Sequence, residues 1–413
     1  MKVKKINIKN FKGIREMQID FHPRLNVFAG KNGSGKTTIL NALGKTIDIA
    51  CLNHVTGNER LKLENRGIIN PHDIQTGSKH AYLSLKLSYR DKNITTTASS
   101  TPDKITSDLI SHFPEPGIRP PHRTFSEDRS TITGTYAPSE KIRNLISGVD
   151  PFMGSIIDDT TRYGHSFAWI SDREALENSR LRKFIDSGKD FGKDHFEKDR
   201  ILQAVKKVIS DITGFRGLFD DREKKEFTVD KNPGNKEDTL LFSQLSCGEQ
   251  HQIAFIATIA VYLAVSYPEA ENPLLEEAVL MIDAIELHLH PSWQRQIIPK
   301  LLTAFPNCQF IITTHSPQVL GNVKPESIFI LKRTHTGIEY EKPDESYGMT
   351  MNLLLELLME DESRPAEDIR KKLENLFENI TRKEYDNALV ILKELKKEIP
   401  TDPYLARAEG VIY

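Results

Sequence analysis

Residues 25–40 decide the fold, and they read Leu25-Asn26-Val27-Phe28-Ala29-Gly30-Lys31-Asn32-Gly33-Ser34-Gly35-Lys36-Thr37-Thr38-Ile39-Leu40. An apolar run, a glycine-rich loop and a segment with helical spacing follow one another. Residues 30–37 fit the pattern G-x-x-x-x-G-K-[ST], whose glycines let backbone N–H groups point inward around a phosphate chain. The order strand, loop and helix favours a phosphate-binding loop over a plain glycine-rich turn.

Residue types in this loop have distinct expected tasks. The helix that follows adds its positive N-terminal end. Lys36 is expected to reach the β- and γ-phosphates, and the Thr37 hydroxyl is expected to ligate Mg²⁺. The predicted nucleotide-binding positions of the loop are Gly30, Lys31, Asn32, Gly33, Ser34, Gly35, Lys36, Thr37 and Thr38.

A second element begins at Leu245. Ser246 stands at a helix N-cap position and Glu249 follows three residues later, which is the pattern of a capping box. A well-capped core helix explains this pattern in part. We also predict a second phosphate site that contains Ser246, Gly248 and Glu249. Because one loop already wraps the phosphates, this site would act on nucleotide held by another subunit.

Two further elements are apolar runs that end in polar residues. Val279 to Asp283 predicts a buried strand whose terminal aspartate holds Mg²⁺ directly or through water. A second strand ends in Thr313-Thr314-His315, at the edge where open α/β sheets bind ligands. His315 is expected to hydrogen-bond a γ-phosphate or the attacking water, although such a histidine is more often structural when it stands alone.

Composition excludes several classes of function. The chain has 413 residues and a net charge of −2, so binding of nucleic acid through bulk basicity is not expected. Its 3 cysteines cannot form a disulfide framework. No targeting or membrane segment is visible, and a cytoplasmic location without a membrane partner is predicted. His288 and His290 lack further ligands for zinc and predict an interface loop instead.

The pattern along the chain predicts an α/β protein in four parts. Residues 1–138 form the first part of a head, and residues 231–346 form its second part. Between them, residues 139–230 are rich in balanced charges and read as an inserted helical lobe. Residues 347–413 read as a small helical tail whose apolar residues fall on helix faces.

The motifs together resemble the ABC-type ATPases of the RecF, SMC and Rad50 group, and more closely the OLD-like branch. The resemblance rests on residues 6–13, 30–37, 245–249, 288–294 and 310–317. It implies a P-loop ATPase head with a mixed sheet and flanking helices, and ATP with Mg²⁺ held by Thr37 and Asp283. It also implies a homo-oligomer, at least a dimer, that encloses nucleotide head to tail.

One position departs from this group. The residue after the Walker-B Asp283 is Ala284, where the family has the general-base glutamate. Loss of a positioned base typically costs about 10²–10⁴-fold in rate. We therefore expect ATP binding and subunit closure to survive and hydrolysis to be largely lost, whether the alanine is engineered or natural. Glu286 lies too far along the chain to be favoured as a substitute.

The sequence shows no nuclease motif of its own. It resembles the PtuA-type ATPase subunits of Septu and retron-associated anti-phage systems, which implies a separate partner nuclease of the HNH type. A PARIS-type defence ATPase with a different effector is also compatible with the motifs. So are a RecF-like repair ATPase that binds duplex DNA across an ATP-closed dimer, and a non-catalytic scaffold.

Overall fold

The computed structural model describes residues 1–51, 69–89, 92–100, 110–111, 122–125, 162–188, 195–231, 239–358, 367–400 and 402–412. Within it the chain divides into two compact units, residues 1–351 and residues 352–413. The described part of the predicted lobe belongs to the first unit. The first part of that lobe, residues 139–161, lies outside the described residues. The domain boundaries stay predictions.

The strands and helices are as follows. The strands are β1 (Lys2–Phe11), β2 (Ile14–Asp20), β3 (Leu25–Ala29), β4 (Ala81–Tyr89), β5 (Lys92–Ser100), β6 (Ile110–Ser111), β7 (His122–Phe125), β8 (Arg216–Asp221), β9 (Glu226–Asp230), β10 (Thr239–Leu241), β11 (Val279–Ile282), β12 (Gln309–Thr314), β13 (Ile328–Thr334) and β14 (Gly337–Glu341). The helices are α1 (Lys36–Cys51), α2 (Arg162–Asp186), α3 (Arg200–Thr213), α4 (Cys247–Ser266), α5 (Pro291–Gln294), α6 (Ile297–Ala304), α7 (Pro317–Leu320), α8 (Met351–Leu358), α9 (Glu367–Thr381), α10 (Tyr385–Glu398) and α11 (Pro403–Ile412).

A six-stranded sheet carries the phosphate loop. Its strand order is β14-β13-β3-β12-β11-β7, and every neighbouring pair is parallel except β13 with β14. All residues of β3, β11 and β12 are buried, as expected for parallel strands covered on both faces. The carboxyl ends of these three strands meet at one edge of the sheet. The apolar run of residues 25–29 is the strand β3, and β12 ends at Thr314, next to His315, so both predicted strands are confirmed.

A five-stranded antiparallel sheet packs against the same core. Its order is β2-β1-β4-β5-β6, and residues of β1 alternate between buried and less buried positions. The apolar side chains of β1 and β4 share one cluster with α1, which includes Ile39 and Leu43. These contacts hold the helix that follows the phosphate loop. The alternation of Leu83, Leu85 and Leu87 with polar residues predicts the strand β4, and all three leucines are buried.

The lobe holds strands as well as helices, so the helical prediction for its last part is wrong. α2 and α3 are helical as predicted, but β8, β9 and β10 form a three-stranded antiparallel sheet. Gly214 adopts a left-handed conformation, with φ 84°, and ends α3. The many charged residues of this stretch suggested helices, but its strands bury Leu218, Phe227 and Val229.

Helix α4 connects the lobe to the head. Ser246 is its N-cap, and residues 251–264 are all buried, so the helix is covered on every side. The Ser166 hydroxyl of α2 donates a hydrogen bond to the Thr258 hydroxyl at 3.1 Å inside this interface. The predicted capping box and buried helix are both confirmed.

The second unit has its own small core, built from α9, α10 and α11. Its buried residues are Leu373, Leu376, Ala388, Leu392, Leu395, Leu405 and Ala408. The predicted apolar faces of α9 and α10 supply most of them. The helical spacing also places Tyr385 on the apolar face of α10, but it is 40% exposed at the first turn of that helix.

Candidate nucleotide-binding site

The phosphate loop closes around its own lysine. The Lys36 side chain is 5% exposed, and its Nζ donates to the carbonyl oxygens of Gly30 at 2.8 Å and Lys31 at 3.0 Å. The positive charge thus lies inside the loop and at the start of α1. A phosphate chain would replace these carbonyl contacts with stronger charge-assisted ones.

Glycine is required at particular points of this loop. Gly30, Gly33 and Gly35 all have positive φ, of 145°, 76° and 99°. A Cβ on Gly35 would lie 2.5 Å from Cδ1 of Ile338, and a Cβ on Gly30 would collide with the carbonyl oxygen of Leu331. The hairpin of β13 and β14 therefore packs against the loop so closely that no Cβ fits at Gly30 or Gly35, and this packing limits the shape of the loop.

The predicted magnesium ligands lie together. The Thr37 hydroxyl donates to Oδ2 of Asp283 at 2.9 Å, and the Thr313 hydroxyl donates to Oδ1 of the same carboxylate. Asp283 is 5% exposed and follows β11 directly. A hydroxyl and a carboxylate are oxygen ligands of the kind that Mg²⁺ prefers, so the residues present fit the ion.

An open cleft of about 260 Å³ lies beside the loop and is polar along most of its wall. Loop residues Asn32, Lys36 and Thr37 line it, and His315 joins them from the end of β12. The structure thus places His315, one of the predicted site residues, beside the phosphate loop. A triphosphate placed on the loop would have an imidazole beside it.

The remaining predicted loop residues have different surroundings. Gly33, Gly35 and Thr38 also line the cleft, whereas Gly30, Lys31 and Ser34 do not. Ser34 is 3% exposed, and its hydroxyl lacks a hydrogen-bond partner in the described part of the chain. An orphaned hydroxyl inside a phosphate loop is consistent with a ligand that completes it.

Three cleft residues, Arg333, Gly13 and Ile338, are not among the predicted site residues. Arg333, near the end of β13, and Gly13, in the turn between β1 and β2, both line the cleft. They stand far from the loop in the sequence, and only the sheet order places β13 next to β3. The pairing of the Ile338 N–H with the Gly13 carbonyl at 3.1 Å brings the two turns together.

Ala284, where the family resemblance predicts a glutamate, follows the predicted magnesium ligand Asp283 directly. Ala284 is 5% exposed and has a left-handed φ of 46°. Its N–H donates to the Thr313 hydroxyl at 2.8 Å, so the backbone here is held in place while the side chain offers no proton acceptor. Glu286, the candidate substitute base, accepts hydrogen bonds on both oxygens, from Thr314 and from the backbone of His315.

The second predicted phosphate element, residues 245–249, is the signature segment. The side chains of Ser246 and Glu249 within it form hydrogen bonds inside their own chain. Glu249 accepts from both the N–H and the hydroxyl of Ser246 at 2.9 Å, and from Lys231 at 2.9 Å. Burial raises the pKa of Glu249, but these hydrogen bonds from Lys231 and Ser246 outweigh it and hold the pKa below its ordinary value. Ser246, Gly248 and Glu249 do not line the cleft of their own chain.

The histidines of the loop after β11 have structural contacts. The ring of His288 packs on that of His251, with centroids 4.2 Å apart, and His288 has a left-handed φ of 61°. His290 is the N-cap of α5 and accepts from the N–H of Ser292. Gly248 lies close to this loop, since a Cβ there would be 3.1 Å from the His288 carbonyl oxygen.

A phosphate loop after a central strand, an aspartate after a neighbouring strand and a serine-capped helix are together the elements of a P-loop ATPase head. Residues 25–321 match the family model described as "AAA domain, putative AbiEii toxin, Type IV TA system". The match spans more than half of the chain, and the chain belongs to that family.

Several known proteins are similar to the chain. It is 27% identical to the Retron Ec83 probable ATPase of Escherichia coli, over 92% of this chain and 80% of that protein. It is 24% identical to the Septu protein PtuA of Bacillus mycoides, over 98% of this chain and 54% of that protein. The SMC head domain from Thermotoga maritima aligns with 83% of this chain and 100% of that one, at 16% identity and a TM-score of 0.46.

Across the described ranges, no helix is both long enough and apolar enough to cross a lipid bilayer.

Proposed function

We propose that this chain is the ATP-binding subunit of a bacterial anti-phage defence complex and that ATP closes two copies head to tail. The buried Lys36 and the Thr37–Asp283 pair support binding of ATP with Mg²⁺. The similarity to retron and Septu ATPases supports the role in defence.

One observation carries the head-to-tail arrangement. The cleft holds the phosphate loop and His315, whereas the signature helix begins elsewhere on the same chain, with Ser246 exposed and outside the cleft. A helix N-terminus attracts anions through its unpaired N–H groups and its dipole. If both elements bind one nucleotide, the second must come from a neighbouring copy, and two-fold symmetry then encloses two nucleotides.

ATP in this complex serves as a long-lived interface ligand. Ala284 offers no base, and both oxygens of Glu286 are engaged by Thr314 and His315. Binding groups remain in place while the group that activates water is missing. Hydrolysis, which would release the subunits, is therefore slow, and the closed state persists.

The closed complex controls a partner nuclease. The PtuA-type resemblance of the sequence makes an HNH endonuclease the expected partner, and the surfaces available for it include the charged lobe and the helical unit of residues 352–413. In this scheme the nucleotide state sets whether the nuclease is silent or active.

Light scattering after size-exclusion chromatography tests the proposal. The full chain is run without nucleotide, with ADP and with ATP and Mg²⁺, and only ATP is expected to raise the mass to at least a dimer. Lys36→Met should abolish the increase, and Lys79→Met, an exposed lysine outside the cleft, should not. An unchanged mass with bound ATP would contradict the head-to-tail arrangement. Failure of a co-encoded HNH protein to co-elute would contradict the nuclease partner.

A repair ATPase of the RecF kind is the second candidate. The chain is 54% identical to the DNA replication and repair protein RecF of Lactococcus lactis over 43 residues, which is 10% of this chain. This candidate predicts ATP-dependent binding of duplex DNA that weakens steeply with salt. Fluorescence anisotropy with a labelled duplex at two salt concentrations separates the two candidates.

A further inference from the structure

The ends of β11 and β12 are joined by hydrogen bonds that continue past both strands. The Thr313 hydroxyl donates to Asp283 and accepts from the N–H of Ala284 at 2.8 Å. The N–H of Ile285 donates to the Thr313 carbonyl oxygen at 3.1 Å. Asp283, Ala284 and Ile285 are thus each hydrogen-bonded to Thr313, which lies near the end of β12 and two residues before His315.

Glu286 adds hydrogen bonds to the next two residues, Thr314 and His315. Its Oε2 accepts from the Thr314 hydroxyl at 2.7 Å, and its Oε1 accepts from the backbone N–H of His315 at 2.7 Å. Thr314 is fully buried, and hydrogen bonds to an ionised carboxylate are stronger than neutral ones. The carboxylate therefore fixes the backbone that presents the His315 side chain to the cleft.

Gln294 makes a second connection between the same two segments. The Ser316 hydroxyl donates to Oε1 of Gln294 at 2.7 Å, and Nε2 of Gln294 donates to the Leu289 carbonyl oxygen at 2.9 Å. Leu289 belongs to the loop between β11 and α5, and Ser316 adjoins His315. One amide side chain thus bridges that loop to the histidine segment.

We propose that Glu286 and Gln294 form a latch that makes His315 and the loop of residues 287–290 move as one body. Glu286 is then a positioning residue, which holds His315 where it meets the γ-phosphate. The proposal rests on the proposed function, because His315 can report on the γ-phosphate only if the cleft binds ATP. It assigns Glu286 to positioning, in contrast to the role of substitute base.

The ratio of the affinities for ATP and ADP is the quantity that separates positioning from simple structural support. Isothermal titration of the full chain with each nucleotide and Mg²⁺ gives both dissociation constants. Glu286→Ala is expected to lower the ATP preference by about tenfold and to leave ADP binding unchanged. Glu286→Gln keeps one acceptor and should recover part of this loss, and Glu271→Gln, an exposed carboxylate outside the cleft, should have no effect.

A double-mutant cycle with His315→Ala tests the route of the effect. If Glu286 acts through the histidine, Glu286→Ala changes the ATP preference little once His315 is gone. An equal loss in both backgrounds would overturn the latch. A gain in ATP affinity on removing Glu286 would also overturn it, because the carboxylate would then act only by repelling the triphosphate.

A second variant guards against loss of folding at Glu286. Gln294→Ala cuts the other connection and should lower the ATP preference several-fold in a chain whose circular dichroism and melting are otherwise normal. An unchanged ratio in both Gln294→Ala and Glu286→Gln would overturn the latch while leaving the proposed function intact. Failure of the unsubstituted chain to bind ATP would overturn both.

Discussion

The phosphate loop and the signature segment are built in opposite ways. The loop, residues 30–38, surrounds a buried lysine and is pressed by the hairpin of β13 and β14. The signature segment, residues 245–249, is exposed at Ser246 and holds its own shape through the capping box with Glu249. One half of the proposed nucleotide site is a tertiary construction, and the other is a local motif that faces solvent.

This difference is in line with the proposal that one chain supplies the phosphate loop and a second copy supplies the signature segment. The loop needs distant neighbours to keep its positive-φ glycines in place. The capping box joins Ser246 to Glu249 only three residues away, and Ser246 is exposed at the surface, where we propose that it meets the phosphates of a second copy. Substitutions in the two halves should therefore have separable effects on turnover, association and stability.

The largest expected effect is a faster rate of ATP hydrolysis when a glutamate replaces Ala284. Ala284→Glu restores a proton acceptor next to Asp283 and should raise kcat for ATP by about 10²–10⁴-fold. Phosphate release at saturating ATP measures it. Ala284→Gln, similar in size but without the carboxylate, is the matched control and should stay slow. Equal rates for Ala284→Glu and the unsubstituted chain would show that the missing base does not limit turnover.

The next effect concerns the signature segment alone. Ser246→Asp keeps an N-cap acceptor for the Glu249 N–H and places a negative charge where we propose a partner's phosphate, so ATP-driven association should weaken by about a hundredfold. The new charge also repels the Glu249 carboxylate, so thermal melting of the variant is measured alongside. Ser246→Asn keeps the cap without the charge and should associate normally. Sedimentation at several protein concentrations measures the association, while nucleotide affinity of the single chain should stay the same. Normal association of Ser246→Asp would remove this helix from the interface.

Two glycine substitutions test whether close packing constrains the phosphate loop, one in the loop and one in the helix α1 that follows it. Gly35→Ala requires a strained φ and a Cβ against Ile338, and should lower the free energy of unfolding by about 1–3 kcal/mol. Gly44→Ala lies within α1 in open space and should raise it by about 0.5–1 kcal/mol. Urea denaturation of both variants gives the two values. Equal effects would mean that the hairpin does not constrain the loop.

The smallest effect is a pH dependence of the capping box. The pKa of Glu249 is held below its ordinary value of 4.5, so its ionised form stabilises the fold above that pH, and the contribution is lost as pH falls through the folded-state pKa. Glu249→Gln should lower the melting temperature by a few degrees at pH 7 and progressively less toward pH 3. A difference that stays constant over this range would indicate that the charge of Glu249 is unimportant.

Much of the site could be predicted from local sequence. The phosphate loop follows from its glycine spacing, and the N-cap at Ser246 follows from a glutamate three residues later. Each of these motifs depends on groups a few residues apart, so the chain carries the whole pattern in one place. The buried strands β3, β11 and β12 are recognisable for the same reason, as short apolar runs that end in polar residues.

Contacts between distant segments were decided by the tertiary structure. Three contacts join residues that are far apart in the chain. Glu286 accepts a hydrogen bond from His315, Arg333 lines the cleft beside the phosphate loop, and Ile338 packs against Gly35. The strands β8 and β9 became clear only in the structure, because their many charged residues resemble those of solvated helices. The sequence determined which local motifs this protein has, since each is stabilised within a few residues. Only the packing of the sheet, which aligns the ends of β3, β11 and β12, decided which side chains meet.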